Sequence, residues 1–295
     1  MTSAAKAKQR QLTEKRPGQL ALAWRRFCRN KAAVVSLCIV ILIVLAAIFA
    51  DYITPYDFDA QNPLERLQLP SLAHLLGTDD FGRDLLTRIL RGGRVSLLVA
   101  LMTVSISTVI SLFLGSLAGY FGGVVDSVIM RVADIFISVP PLVLSMSLSA
   151  ALGSGLFNTA LAISVGSIWP MTRQLRASIL TIKGSEYLEA SKAFGARDWY
   201  VIFHHVVPHA LAPIIVQVAM TMGNAITQIA TLSFLGLGVQ PPTPEWGNML
   251  AAGKQYITSF WPMMFWPGLM VGICLLCFNM IGDGLRDALD PRMKR

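Results

Sequence analysis

The chain has 295 residues, of which 54% are hydrophobic and only 14% charged, against roughly a quarter charged in an ordinary soluble domain. A chain with a mean hydropathy of +0.57 cannot cover itself with polar surface, which excludes disordered, collagen-like and ordinary soluble classes. The net charge of +8 would suit a nucleic-acid binder only if the Lys and Arg residues formed one patch on a soluble fold.

From Ala32 to Ala50 nineteen residues pass without a charge, close to what a hydrocarbon core of roughly 30 Å asks of a helix. A signal peptide would have a shorter apolar region ending in a small-residue cleavage site, whereas DYITPYD and further apolar spans follow here. A second span is expected over Val95 to Val125. Along it Ser107, Ser111, Gly115, Gly119 and Gly123 recur every four residues, a spacing that lets another helix approach closely. A third span, Ser127 to Leu152, carries Pro140 and Pro141 in its middle, which predicts a kink. Leu156 to Trp169 reads as a short fourth span, Val206 to Gly236 as a fifth, and Pro262 to Ile281 as a sixth.

Six crossings place both termini on one side, and the positive-inside rule says which. Nineteen cations fall on the side of the termini, nine of them before Ala32, and six on the other. Both ends are therefore expected in the cytoplasm, and the positive charge reads as topology rather than as a nucleic-acid footprint. Arg83, Arg88, Arg91 and Arg94 run against this pattern, because they fall in the outer loop with Asp51, Asp57, Asp59, Glu65, Asp79, Asp80 and Asp84. Local pairing and a mixed-charge interfacial helix would account for them.

The chain has no G-x-x-x-x-G-K-[ST] phosphate loop, no H-E-x-x-H and no G-x-S-x-G. His204, His205 and His209 gather at a membrane boundary, where a solvated role outweighs metal ligation. The four cysteines do not form a disulfide framework, and Cys274 and Cys277 sit in an apolar helix as filler. Asp134 lies three residues from Arg131, so one helix face can neutralise both. Gln217, Asn224, Gln228 and Asn279 are polar and uncharged, which suits helix contacts and also a pore lining.

The polar loop between the fourth and fifth spans is the most informative. Ser185, Glu186 and Glu189 mark a helix start, and Tyr187, Ala190, Ser191 and Phe194 follow one face before Gly195 stops the helix. Such an amphipathic helix can dock on a partner or lie on the lipid surface.

EASKAFG, followed thirteen residues after Gly195 by Pro208, resembles the EAA signature of permease subunits of bacterial ABC importers. Glu189, Ala190, Gly195 and Pro208 match; Ser191, His205 and Val207 depart from the pattern. HLLGTDDFGRDLLTRILRGGRVSL, AGYFGGVVDSVIMRVADIFISVPPLVL, LSFLGLGVQPPTPEWGNML and FNMIGDGLRDALDPR are similar to the C-type permease of dipeptide, oligopeptide and nickel importers. The resemblance covers about residues 20 to 295.

It implies an all-α membrane fold with a five-helix permease core plus one N-terminal helix. The implied parts are a cytoplasmic tail 1–31, a first membrane helix 32–50, an outer loop 51–94, a core 95–282 containing a coupling loop 173–205, and a cytoplasmic tail 283–295. It also implies partners: a B-type permease, two cytoplasmic ATPase subunits holding the ATP and Mg, and an extracytoplasmic substrate-binding protein. The chain would bind no cofactor or metal and perform no catalysis. Glu186 to Phe194 would be the coupling helix, and the outer loops around Asp79 to Arg94 and Gln240 to Lys254 would lie near the binding protein. Substrates implied by the resemblance are short peptides first, then nickel, glutathione or another small solute. A secondary carrier, an intramembrane enzyme and a scaffold are the readings from other classes.

Overall fold

The structure, a computed structural model, describes residues 19–289. The tail cations Lys6 to Arg16 and the last residues, with Arg292, Lys294 and Arg295, lie outside the described residues. The described chain is helical, with no strand and a single isolated bridge between Thr78 and Asp84.

A short basic helix, α1 (Gln19–Phe27), carries Arg25 and Arg26 in its last turn, where cations complement the helix dipole. Asn30 then caps α2 (Lys31–Ile48), its side chain accepting from the Ala33 N–H at 3.2 Å. After α3 (Ala50–Ile53) the chain runs through an irregular loop to Asp84. Asp84 accepts from the Thr87 N–H at 2.7 Å and opens α4 (Leu85–Phe121), a helix of 37 residues. Then come α5 (Gly123–Ser138), α6 (Pro141–Leu152), α7 (Leu156–Lys183), α8 (Glu186–Ala193) and α9 (Asp198–Val201). A π-helical turn over Ile202–Val206 joins α9 to α10 (Val207–Phe234), and α11 (Trp246–Gly253) and α12 (Pro262–Leu289) complete the order. Among the described residues four helices are long and apolar enough to cross a membrane, within α2, α4, α10 and α12, and the α5–α6 pair makes a fifth if counted as one broken span.

Several expected boundaries move. The second span begins at Leu85, because Asp84 caps the helix ten residues before the charges end. It stops at Gly122, whose φ of +69° only glycine adopts without strain. The third span is two helices bent by 90°. Val139 and Pro140 are extended there, and Pro141, which cannot donate to a preceding turn, starts α6. Where a short fourth span was expected, α7 runs on through Pro170 to Lys183, so residues 173–183 of the expected loop are helix. A proline in a membrane helix leaves one carbonyl unpaired, and neighbouring helices and local adjustment absorb it.

The stripe of small residues packs α4 on α7. Ser111 donates to the Ile168 carbonyl at 2.9 Å, Ser107 reaches the Ser164 carbonyl at 3.4 Å, and Thr103 the Ala160 carbonyl at 3.5 Å. Each pair is 57 residues apart, and a constant offset means that α4 and α7 run parallel. The chain between them therefore returns through α5 and α6. A Cβ added at Gly115 would stand 3.0 Å from Leu175, and one at Gly119 would stand 2.8 Å from Ile179. Gly123 does not belong to this seam: it lies past the break, and a Cβ there would meet nothing within 4 Å.

The bundle has two ends. The first and last described helices meet where Phe27 and Ala33 close on Gly284, and this terminal end also holds α8 and α9. At the far end Trp246 is fully buried against Gly92 and Gly93 of α4, and its Nε1–H donates to the Ile89 carbonyl at 3.0 Å. Arginines of the loop and early α4 are paired there: Arg83 with Asp79 at 2.7 Å, Arg88 with Asp79 at 3.5 Å, Arg91 with Asp51 at 2.7 Å and Arg94 with Asp51 at 3.3 Å. Their departure from the charge pattern is thus met by local pairing. Asp79, Arg83, Asp84 and Arg88 are buried, so much of the 79–94 segment is scaffold, and exposed Leu64 and Leu72 belong to the preceding loop.

Candidate functional site

The site grows from the terminal end of α7. Gly184 ends that helix and α8 follows after Ser185. Leu188 is buried in a cluster with Tyr120, Leu175, Ile179, Val201, Ile202 and Val206, which pins α8 to α4, α7 and the π-helical turn. Phe194, on the sequence-predicted stripe, is 92% exposed, an unusual setting for so large an apolar ring. Glu186 is exposed and Ser191 half-buried; the side chains of Tyr187, Glu189 and Ala190 lie outside the described ones. Gly195 has a φ of +80°, the left-handed conformation that lets the chain reverse after α8.

The chain then enters α9 and continues without a break into α10. Pro208 sits in the first turn of α10, and the Val207 N–H bonds the Ile202 carbonyl, five residues back. Pro208 has no N–H to donate, which favours this wider turn just before it.

A polar link ties α9 to α4 across a long stretch of sequence: the Tyr120 hydroxyl donates to Asp198 Oδ1 at 2.6 Å. Phe121 meets Trp199 edge-on at 6.3 Å beside it. Two ion pairs join α5 to α7, Asp134 with Arg173 and Asp126 with Arg176. Asp134 therefore takes its partner from another helix and not from Arg131, while Arg176 holds Asp126 through both carboxylate oxygens.

Sequence reasoning missed Tyr120, Asp198, Arg173 and Arg176, since no local spacing relates residues on separate helices. It also missed Glu245, for which a signal existed: Glu-Trp-Gly-Asn has capping-box spacing. Glu245 is fully buried, accepts from Ser96 and from the Asn248 N–H at 3.0 Å each, and caps α11. Burial pushes its carboxyl above the ordinary value of 4.5, against the opposing pull of these hydrogen bonds. Among the described residues no three His, Cys, Asp or Glu side chains are grouped to hold a metal.

A family model described as "Binding-protein-dependent transport system inner membrane component" matches residues 111–295. The chain belongs to this family. Residues 18–70 match a second model, the N-terminal TM domain of oligopeptide transport permease C. Among curated relatives, the dipeptide transport system permease protein of Alkalihalophilus pseudofirmus is 44% identical over 273 residues, covering 92% of this chain and 90% of that one. The di/tripeptide permease of Pseudomonas aeruginosa is 42% identical over 284 residues, 94% of each chain. The glutathione transport system permease of Pectobacterium atrosepticum is 40% identical over 272 residues, 92% and 90% of the two chains. The fold is similar to the inward-facing MetNI methionine ABC transporter, with a TM-score of 0.56 at 21% identity, covering 68% of this chain and 96% of the other. The chain is thus a multi-pass membrane component of a transport system, of an all-helical permease fold. About a third of it has no counterpart in that solved chain.

Proposed function

We propose that this chain is one of two permease subunits in an ATP-driven importer of short peptides in the bacterial inner membrane. The observation that carries the reading is its 44% and 42% identity, over about nine-tenths of each chain, to permeases named for dipeptides and di/tripeptides. Glutathione uptake is the second reading, favoured by the relative at 40% identity. The partners in this reading are a B-type permease, two ATPase subunits and an extracytoplasmic binding protein; the family's description, which names a binding-protein-dependent transport system, supports the last of these.

In this reading the chain crosses six times, through α2, α4, the bent α5–α6 pair, α7, α10 and α12, with the terminal end in the cytoplasm. The parallel course of α4 and α7 supports the return crossing through α5 and α6. The domain limits follow as a cytoplasmic segment 1–31, a first span, an outer loop to Asp84, a core from Leu85 to residue 282 and a tail 283–295. Helix α8 is the coupling helix: an ATPase receives Phe194 and its neighbours, and Leu188 with Tyr120 passes the motion to α4 and α7. Gly115 and Gly119 keep those two helices moving as one body, while the Pro140–Pro141 corner is where the α5–α6 pair bends.

The test is uptake of a labelled dipeptide by proteoliposomes holding the assembled system. Uptake should need ATP, stop with vanadate and survive collapse of ion gradients; uphill transport by this chain alone overturns the proposal. Glu189→Lys or Gly195→Pro should leave membrane insertion intact and abolish uptake. Normal uptake with both would remove the coupling assignment.

A further inference from the structure

A groove of about 500 Å³ runs between α2 and α12, opening at the terminal end and lined by none of the α8 or α9 residues. Val35, Ile39, Ile273, Leu276 and Met280 line it, and Lys31 stands at its rim. We propose that this groove holds an anionic phospholipid, one acyl chain against the apolar wall and the phosphate at Lys31.

Three observations converge on that occupant. The first is length. From Lys31 to Ile39 a helix rises about 12 Å, less than half of a bilayer's hydrocarbon thickness of roughly 30 Å. The groove therefore spans one leaflet, starting at the charged boundary of α2, as an acyl chain does; a packed transmembrane helix of a partner would follow the full height.

The second is charge. Arg25, Arg26, Arg29 and Lys31 lead into the groove's rim, and no acid occurs between Lys15 and Ala50. Among the described residues no carboxylate pairs with Lys31, and Asp283, one turn beyond Met280, faces Arg286 at 3.8 Å. Basic residues at such a boundary attract anionic headgroups.

The third is the setting of α1. Its exposed Trp24 stacks on buried Phe27 at 5.7 Å, and Phe27 in turn closes on Gly284 of α12. That arrangement holds a basic helix, with an aromatic ring of the kind found at membrane interfaces, beside the groove.

The assembled transporter, purified and exchanged into equal phosphatidylglycerol and phosphatidylcholine, tests this by native mass spectrometry. Phosphatidylglycerol should be retained about fivefold over phosphatidylcholine. Lys31→Gln should remove most of that preference and Lys31→Arg should keep it. Leu276→Trp, which fills the groove, should lose one tightly held lipid while ATP hydrolysis by the complex stays normal. Equal retention of the two lipids, or a preference untouched by Lys31→Gln, overturns the proposal. So does a disulfide or photo-crosslink from position 35 to another polypeptide, which would make the groove a protein interface. None of these outcomes bears on which solute is carried, so this inference and the peptide reading fail independently.

Discussion

The two ends of the bundle are built differently. At the far end Glu245, Ser96, Asn248 and Trp246 are buried and bonded to α4 and to one another, and glycines bring backbones into contact. At the terminal end Leu188 is buried among the described side chains of α8, a tyrosine–aspartate bond reaches across to α9, and Phe194 stands in the open. A fully satisfied buried network resists rearrangement, whereas a few separable contacts can shift as a unit. The far end thus serves as an anchor in the proposed mechanism, and the terminal end is the part proposed to move.

The largest expected effect contrasts two glycines. A Cβ at Gly247 would lie 2.3 Å from the Ala230 carbonyl oxygen, so Gly247→Ala should lower unfolding stability in detergent by about 3 kcal/mol. Gly195 meets nothing within 4 Å, and Gly195→Ala should cost only the backbone strain of its positive φ, about 1–2 kcal/mol. Equal losses would break the distinction between anchor and lever.

Next comes Glu245. Alanine there strands the Ser96 hydroxyl and the Asn248 N–H, a loss of about 1–3 kcal/mol, while glutamine keeps most of the shape. Because burial raises this carboxyl in the folded protein, folding favours its protonated form. The sign follows: below the ordinary value there is no penalty, and stability falls as pH rises through the window above 4.5. Thermal unfolding across that window should slope less for Glu245→Gln than for the parent.

Tyr120→Phe should cost about 1 kcal/mol of stability yet lower the solute moved per ATP, because the lever loses its hydrogen bond to α4. An unchanged ratio would detach that bond from coupling. The smallest effect on stability is expected for Phe194→Ala, whose ring is almost wholly in solvent; its melting curve should match the parent while co-purification of the ATPases declines.

Much of this architecture was legible beforehand, and for physical reasons. Burial in lipid demands long apolar runs, so α2, α10 and α12 stood out, and the four-residue spacing of Ser107, Ser111, Gly115 and Gly119 announced a close helix contact without saying that α7 makes it. The limits of α4 and α7 were misjudged because charge was taken as a helix boundary. Asp84 caps within the charged region, and α7 carries Arg173 and Arg176 along its own length, each matched to an aspartate of α5. Positions 186 to 195 were marked by local pattern alone. Leu188, Tyr120 and Asp198 became visible only when separate helices were brought together, since their meaning lies in contacts between distant stretches of chain.

The uninterrupted course of α7 through Pro170 sets a condition on rotation as well as on distance. At 28 residues it reaches about 42 Å, so the seam with α4 and the start of α8 sit on a single shaft. One residue inserted between Leu180 and Lys183 would leave every seam contact in place and swing α8 about 100° around the shaft. Four inserted residues, just over a full turn, would bring it back nearly into phase. Activity lost with one and regained in part with four would reveal that azimuth, beyond mere attachment, governs how the shaft is driven.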